Sequence, residues 1–76
     1  MAFDYSKLRG RITEKFGNQS AFADAIKLSN TSLSRKLTGK VAISIDDITL
    51  WSNPTLLDIA PSEYHEYFFV EKVHSV

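Results

Sequence analysis

The chain has 76 residues, enough for one small domain, and its lack of cysteine excludes disulfides and thiolate metal sites. Hydrophobic residues make up 43% and charged residues 24%, a globular balance, and no apolar run approaches the roughly 20 residues that a membrane-spanning helix needs. The net charge of zero speaks against nucleic-acid binding, but it divides into +5 over residues 1–40 and −5 over residues 41–76, which favours two surfaces with different partners.

The first predicted helix is marked by apolar residues at spacings of three and four. Either Asp4 or Ser6 can cap its start, because a side-chain oxygen there accepts a hydrogen bond from a free amide of the first turn. Gly17 follows the last apolar residue, where a left-handed C-cap is expected. The pattern predicts a helix over residues 4–16 with these inward-facing side chains: Tyr5, Leu8, Ile12 and Phe16.

Two short helices separated by a tight turn are predicted next. Asn18 is a candidate N-cap for a helix that ends near residue 26 or 27. Ser29 opens the next helix, over residues 30–37, and Gly39 stands in the C-cap place of that helix.

The acidic half begins with a fourth helix and continues into shorter elements. Residues 44–47 fit a capping box, and the residue before Pro54 avoids the helical region, so this helix ends or kinks near Ser52. Pro54 then starts a further turn capped by Asn53, and a short last helix follows over residues 61–67.

The segment at residues 68–73 is aromatic and β-branched and alternates as a strand does. A single strand has no partner within this chain. We therefore expect the segment either to pack as an extended tail or to pair with another copy.

Residues 19–37 have the physical design of a helix-turn-helix unit. The small Ala23 lets another helix cross closely, and Phe22, Leu28 and Leu33 are spaced to fill the angle between the two helices. The outer face of the second helix is short, polar and cationic, as contacts with base edges require, since arginine can pair with guanine and asparagine with adenine. The side chains that this helix could present are Asn30, Thr31, Ser32 and Arg35.

This segment resembles the motif of the lambda-repressor-like helix-turn-helix family, and the resemblance extends over about residues 5–59. The chain length, residues 3–10 and residues 67–69 are also similar to small phage regulators, which include Cro-like proteins and modulators of repression of temperate phages of Gram-positive cocci. The resemblance implies five helices, with the last region used for dimer formation. The motif opens with Gln19-Ser20-Ala21-Phe22-Ala23 and closes with Leu33-Ser34-Arg35-Lys36-Leu37.

The family pattern implies DNA contacts at the matching positions. Gln19 would donate to a phosphate, Arg35 would contact a base or a phosphate, and Lys36 and Lys40 would meet the DNA backbone. Together with Ser32 from the polar face of the helix, the predicted set of DNA-binding residues is Gln19, Ser29, Asn30, Thr31, Ser32, Arg35, Lys36 and Lys40.

The chain departs from the family at two positions. The turn between the motif helices usually has glycine, because positive φ is common there, and this chain has Lys27. A lysine held in the left-handed region costs about 1 kcal/mol. Pro54 interrupts a helix that is often continuous in relatives.

Several apolar residues of the acidic half form a candidate partner or dimer surface. Trp51 is interpreted as core or interface, and the cluster at residues 68–70 either covers the core or mediates association. The acidic half is either an ordinary solvated face or a face that repels DNA and recruits a basic or amphipathic partner. The candidate set is Trp51, Tyr67, Phe68, Phe69 and Val70.

Enzyme and metal-site functions are disfavoured. The chain has no glycine-rich phosphate loop and no cysteine nucleophile, and His65 and His74 make a poor metal site, so we expect no cofactor. The basic residues of the first helix are interpreted as a solvated face rather than a binding site: Lys7, Arg9, Arg11 and Lys15.

We therefore predict a single all-α domain over residues 1–76, a compact bundle of about five short helices with a central helix-turn-helix at residues 19–37 and an extended C-terminal tail at residues 68–76. The predicted function is that of a phage-type transcriptional regulator, in which two copies place their 29–37 helices in successive major grooves of double-stranded operator DNA. The alternative is an antirepressor or modulator that binds a partner repressor and alters its operator occupancy. Without a signal-peptide or membrane-spanning pattern, we expect the protein in the cytoplasm of a bacterial host.

Overall fold

The computed structural model describes residues 3–71, and these fold into five α-helices. They contain no strand, so the predicted all-α class is confirmed. No helix in this part of the chain is long and apolar enough to span a bilayer. The helices are α1 (Ser6–Phe16), α2 (Gln19–Ala25), α3 (Asn30–Leu37), α4 (Ile45–Trp51) and α5 (Tyr64–Phe68), with a 3-10 turn at Pro61–Glu63 directly before α5.

Side-chain caps fix the starts of α2, α3 and α4 at the predicted residues. Asn18 Oδ1 accepts a hydrogen bond from an amide of the first turn of α2 at 2.8 Å, and Ser29 Oγ does the same for α3 at 3.1 Å. Ser44 and Asp47 form the predicted capping box, in which each side chain accepts from the other residue's amide. These local hydrogen bonds satisfy amides that a helix otherwise leaves free.

The ends of α1 and α3 follow the glycine rule, whereas the start of α1 differs from the prediction. Gly17 and Gly39 have φ of 87° and 83°, as a left-handed helix terminus requires. Tyr5 stands at the N-cap position of α1, so neither Asp4 nor Ser6 occupies it. Asp4 supports the first turn from one residue further out, where its Oδ1 accepts from the Ser6 amide at 2.9 Å.

The end of α4 is set by Pro54, as predicted. The helix stops at Trp51 with Ser52 as its C-cap. The Asn53 side chain accepts from the Thr55 amide at 2.9 Å and starts a hydrogen-bonded turn over residues 54–57. The proline therefore separates α4 from this turn instead of kinking a longer helix.

One apolar core lies between the helices. At its centre Trp51 is fully buried and meets Phe22 edge to face, with ring centroids 5.5 Å apart, and Phe68 at 6.4 Å. Leu8 and Ile12 on α1 are also fully buried. Burying a large apolar side chain stabilises the fold by about 1.5–3 kcal/mol, so these residues account for much of its stability.

The expectation of a strand over residues 68–73 is wrong at its start. Phe68 is the last residue of α5, because a helical turn buries it together with Tyr67 against the core, which an alternating strand would not do. The later part of the predicted tail, residues 72–76, lies outside the described residues.

The end of the described chain has a partner within the same chain, contrary to the prediction. The Asp4 amide donates to the Val70 carbonyl at 2.6 Å, and Phe3 and Glu71 form one isolated antiparallel bridge. The N-terminal residues therefore supply the pairing that was expected only from another copy.

Candidate functional site

α2, the turn at residues 26–29 and α3 form the unit in which DNA contacts are predicted. Lys27 in this turn is exposed and has a φ of 61°, the left-handed conformation that the resemblance implies for its position. Its amide donates to the Asp24 carbonyl at 3.2 Å, and the Leu28 amide donates to the Ala23 carbonyl at 2.9 Å. The lysine therefore occupies a conformation for which glycine is better suited.

The first turn of α3 presents short polar groups to solvent. Ser29, Asn30 and Thr31 are exposed, and Ser32 is half-buried behind them, where its Oγ lies 3.0 Å from the Ser29 Oγ. Asn30 Nδ2 donates to the Ser20 Oγ at 3.1 Å and so ties the start of α3 to α2. This face offers hydrogen-bond donors and acceptors but little apolar surface.

The cationic part of the same face is smaller than predicted. Arg35 and Lys40 are exposed, and Gln19 is half-buried at the start of α2. Lys36 instead forms an ion pair with Asp47 on α4, and its side chain is only 16% exposed. A contact of Lys36 with the DNA backbone stays a prediction, and in this structure its ammonium group is neutralised by Asp47 within the chain.

Asp47 has two structural roles at this contact. Its carboxylate completes the capping box of α4 and also binds Lys36 of α3. Partial burial by itself raises the pKa of the Asp47 carboxyl, but hydrogen bonds from Lys36 and Ser44 outweigh it and hold the pKa below its usual value. No local sequence pattern predicts this ion pair, since its members belong to different helices.

Three members of the predicted partner surface lie in the core and cannot form that surface. Trp51, Tyr67 and Phe68 are 0%, 7% and 1% exposed, because α4 and α5 turn them inward. Phe69 and Val70, which follow α5, are 38% and 36% exposed. The burial of Trp51 agrees with its interpretation as core, and a partner surface formed by Phe69 and Val70 stays a prediction.

Phe69 lines an apolar groove that was not predicted from the sequence. The groove has a volume of about 180 Å³ and lies between the N-terminal segment, the α3–α4 connection and the end of α5. Phe3 meets Phe69 edge to face at 5.9 Å on one side, and the 44% exposed Val41 contributes from another. The apolar run at residues 41–43, which leads from α3 to α4, was the available signal. The remaining lining residues are Tyr5, Gly39, Ala42, Ile43, Ile48 and Phe68.

The cations of α1 make contacts within the chain. Arg11 donates from Nε to the Leu57 carbonyl at 2.8 Å and from Nη2 to the Asp58 carbonyl at 2.9 Å, which fastens the loop after α4 to α1. Lys7 binds Glu66 at 2.6 Å; this contact lowers the pKa of the Glu66 carboxyl and raises that of the Lys7 amine. Arg11 therefore has a structural role that was not predicted.

The described residues offer no metal centre. Within residues 3–71 no three histidine or carboxylate side chains come together in a way that could hold an ion. His65 is exposed on α5, and His74 lies outside the described residues.

Comparisons with known proteins identify the family of this chain and a solved structure that is similar to it. The family model described as "Protein of unknown function (DUF739)" matches residues 1–71. The chain is also similar to the solution structure of the modulator of repression (MOR) of the temperate bacteriophage TP901-1 from Lactococcus lactis, with 43% identity, 97% of each chain covered and a TM-score of 0.80. No curated protein matches the chain.

Proposed function

The chain belongs to the DUF739 family and is a homologue of a phage modulator of repression, and we propose that it acts by binding a repressor protein and altering the occupancy of the repressor's operator. The observation that carries this choice is the Lys36–Asp47 ion pair. It removes a cation from the α3 face, where independent DNA binding needs phosphate contacts. The cations left on the unit from α2 to the loop after α3 are Lys27, Arg35 and Lys40.

The apolar groove is the surface that we assign to the repressor. Phe69 and Val41 expose apolar area at its rim, and aromatic anchors in grooves are typical centres of binding energy in protein interfaces. The groove lies next to the α3–α4 connection, so a protein bound there is close to the α3 face. A partner in this place could therefore change how a repressor meets its operator.

A mobility-shift experiment tests the proposal with operator DNA, the repressor encoded beside this protein, and the chain itself. We expect no shifted band with the chain alone and a changed repressor–operator band when both proteins are present. Val41→Ser and Phe69→Ser should each weaken this effect by about tenfold, as loss of an interface anchor does.

Ile45→Ser is the matched control, because Ile45 is 72% exposed but does not line the groove. An unchanged repressor band in the presence of the wild-type chain would sink the proposal. Equal effects of Ile45→Ser and Val41→Ser would contradict the assignment of the apolar groove to the repressor, but not repressor binding itself.

Direct operator binding is the second candidate function, and the polar first turn of α3 favours it. Asn30, Thr31 and Arg35 are exposed on a helix whose start is capped by Ser29, as a helix in a major groove requires. On this candidate a homodimer would place two α3 helices one helical turn apart on the operator. A sequence-dependent band with the chain alone, whose preference is lost in Arg35→Ala, would favour it over repressor binding. In both candidates the site of action is the cytoplasm of the bacterial host.

A further inference from the structure

A second groove is lined by residues other than those of the apolar groove. It runs between α4, the loop at residues 53–60 and the start of α5, and has a volume of about 650 Å³. We call it the α4–α5 groove.

The charge of the α4–α5 groove is acidic. Asp58 is exposed and takes part in none of the ion pairs found among residues 3–71, and Glu63 lies nearby with its Oε1 accepting from the Ala60 amide at 3.3 Å. Arg11 also lines the groove, but its guanidinium is occupied by two carbonyls and by Glu14 at 2.9 Å. Two carboxylates and one guanidinium therefore line the groove, and its lining keeps a net negative charge although Arg11 lies beside Asp58.

A buried hydroxyl without a partner lies in the lining of this groove. Ser52 is only 6% exposed, and among the described residues its Oγ has no hydrogen-bond partner. Buried polar groups are paired in most native structures, so each exception calls for an explanation. A hydroxyl that lacks a partner in the lining of a groove is a candidate contact for the hydrogen-bonding groups of an occupant.

The walls of the groove suit an extended chain. Pro54 and Pro61 stand exposed along it, and the half-buried ring of Tyr64 forms part of the wall. Proline-rich segments are extended before they bind, so they dock against aromatic groove walls with little loss of conformational entropy. A helix would need a continuous apolar surface, whereas this groove mixes apolar rings with carboxylates.

We propose that the α4–α5 groove binds a basic, extended segment of a partner protein, with Asp58 and Glu63 facing the partner's cations. The inference does not depend on the assignment of the apolar groove to a repressor, because the two grooves share no residue. It also gives the acidic half a recognition role, in place of that of a merely solvated face.

The test uses the ¹⁵N-labelled full chain and two capped peptides, Arg-Pro-Leu-Arg-Pro-Leu-Arg and its counterpart with glutamine in place of arginine. We expect amide shifts centred on Ser52, Asp58 and Tyr64 with the arginine peptide and not with the glutamine peptide. The double variant Asp58→Asn/Glu63→Gln should bind on the order of fivefold more weakly, since it removes both charges but keeps the hydrogen-bond acceptors.

The control is Asp24→Asn/Glu71→Gln, which makes the same change of net charge at exposed positions outside the groove. Ser52→Ala should weaken peptide binding without lowering the stability of the free protein, which separates a ligand contact from a structural role. Shifts centred elsewhere, no binding of the arginine peptide, or equal losses in the two double variants would each overturn the inference.

Discussion

Two non-glycine residues within residues 3–71 have positive φ, Lys27 at 61° and Asp58 at 53°. Aspartate tolerates this region because its short side chain can hydrogen-bond locally, whereas lysine has no such compensation. We therefore expect Lys27→Gly to raise the free energy of unfolding by up to about 1 kcal/mol, partly offset by the greater freedom of glycine in the unfolded chain. Urea denaturation followed by circular dichroism measures the change.

Two further glycine variants show whether the effect is specific to the strained lysine. Asp58→Gly should raise the free energy of unfolding by less than Lys27→Gly does, because aspartate is better tolerated than lysine at positive φ. Lys15 lies in the last turn of α1, where its backbone is helical. Lys15→Gly should therefore lower the free energy of unfolding by up to about 1 kcal/mol. A denaturation midpoint for Lys27→Gly at or below that of the wild type would contradict the strain argument.

Between elements, one carboxylate forms an ion pair that joins α3 to α4. Asp47 caps α4 and binds Lys36, and these bonds hold its pKa below the usual value despite partial burial. A carboxyl with a lower pKa in the folded state adds stability above its unfolded pKa of about 4, and this is lost as the pH falls through the folded value. We expect Asp47→Asn to lower stability by about 1–2 kcal/mol at pH 7 and to flatten the loss of stability below about pH 4.

Asp46→Asn provides the control for this pH dependence. It removes the same charge from the same turn of α4 but leaves the bonds of Asp47 to Lys36 and Ser44 in place. Free energies of unfolding measured in urea from pH 3 to 7 should show a larger effect at pH 7 for Asp47→Asn than for Asp46→Asn. Parallel curves for Asp47→Asn and the wild type would show that the pair contributes nothing to the pH dependence.

At the level of the whole molecule, what could be predicted from the sequence depends on how far apart the interacting residues lie. The caps at Asn18, Ser29 and Ser44 and the stop before Pro54 involve neighbouring residues, so local patterns were enough to predict them. The pairing of Lys36 with Asp47 depends on how helices pack, and no local rule contains it.

The apolar residues of the predicted partner surface show the same limit of local sequence patterns. Phe68 and Phe69 are adjacent and chemically identical, yet one is buried and the other is 38% exposed. Their difference follows from the end of α5, since Phe68 is its last helical residue and Phe69 is its C-cap. Composition could identify the cluster but not which of its members face solvent.

Part of the opposite charge of the two halves is paired within the folded molecule. Of the three ion pairs found among residues 3–71, Lys7–Glu66 and Lys36–Asp47 each join the basic half to the acidic half. Of these two cations, Lys36 was predicted to contact DNA, whereas Lys7 was interpreted as part of a solvated face. The molecule therefore has less free positive charge around α3 than its first 40 residues suggest.

This reduction sets an upper limit on the salt dependence of any operator binding by the chain alone. With Lys27, Arg35 and Lys40 as the remaining phosphate contacts of the α2–α3 unit, the slope of log affinity against log salt concentration should be no steeper than about −2.7 per subunit. Lys40→Ala should make the slope shallower by about 0.9, whereas Lys36→Ala should leave it unchanged because Asp47 already holds that ammonium group. Fluorescence anisotropy with labelled operator DNA at several salt concentrations gives these slopes. A slope near −3.6 that becomes shallower in Lys36→Ala would show that Lys36 leaves Asp47 to contact DNA.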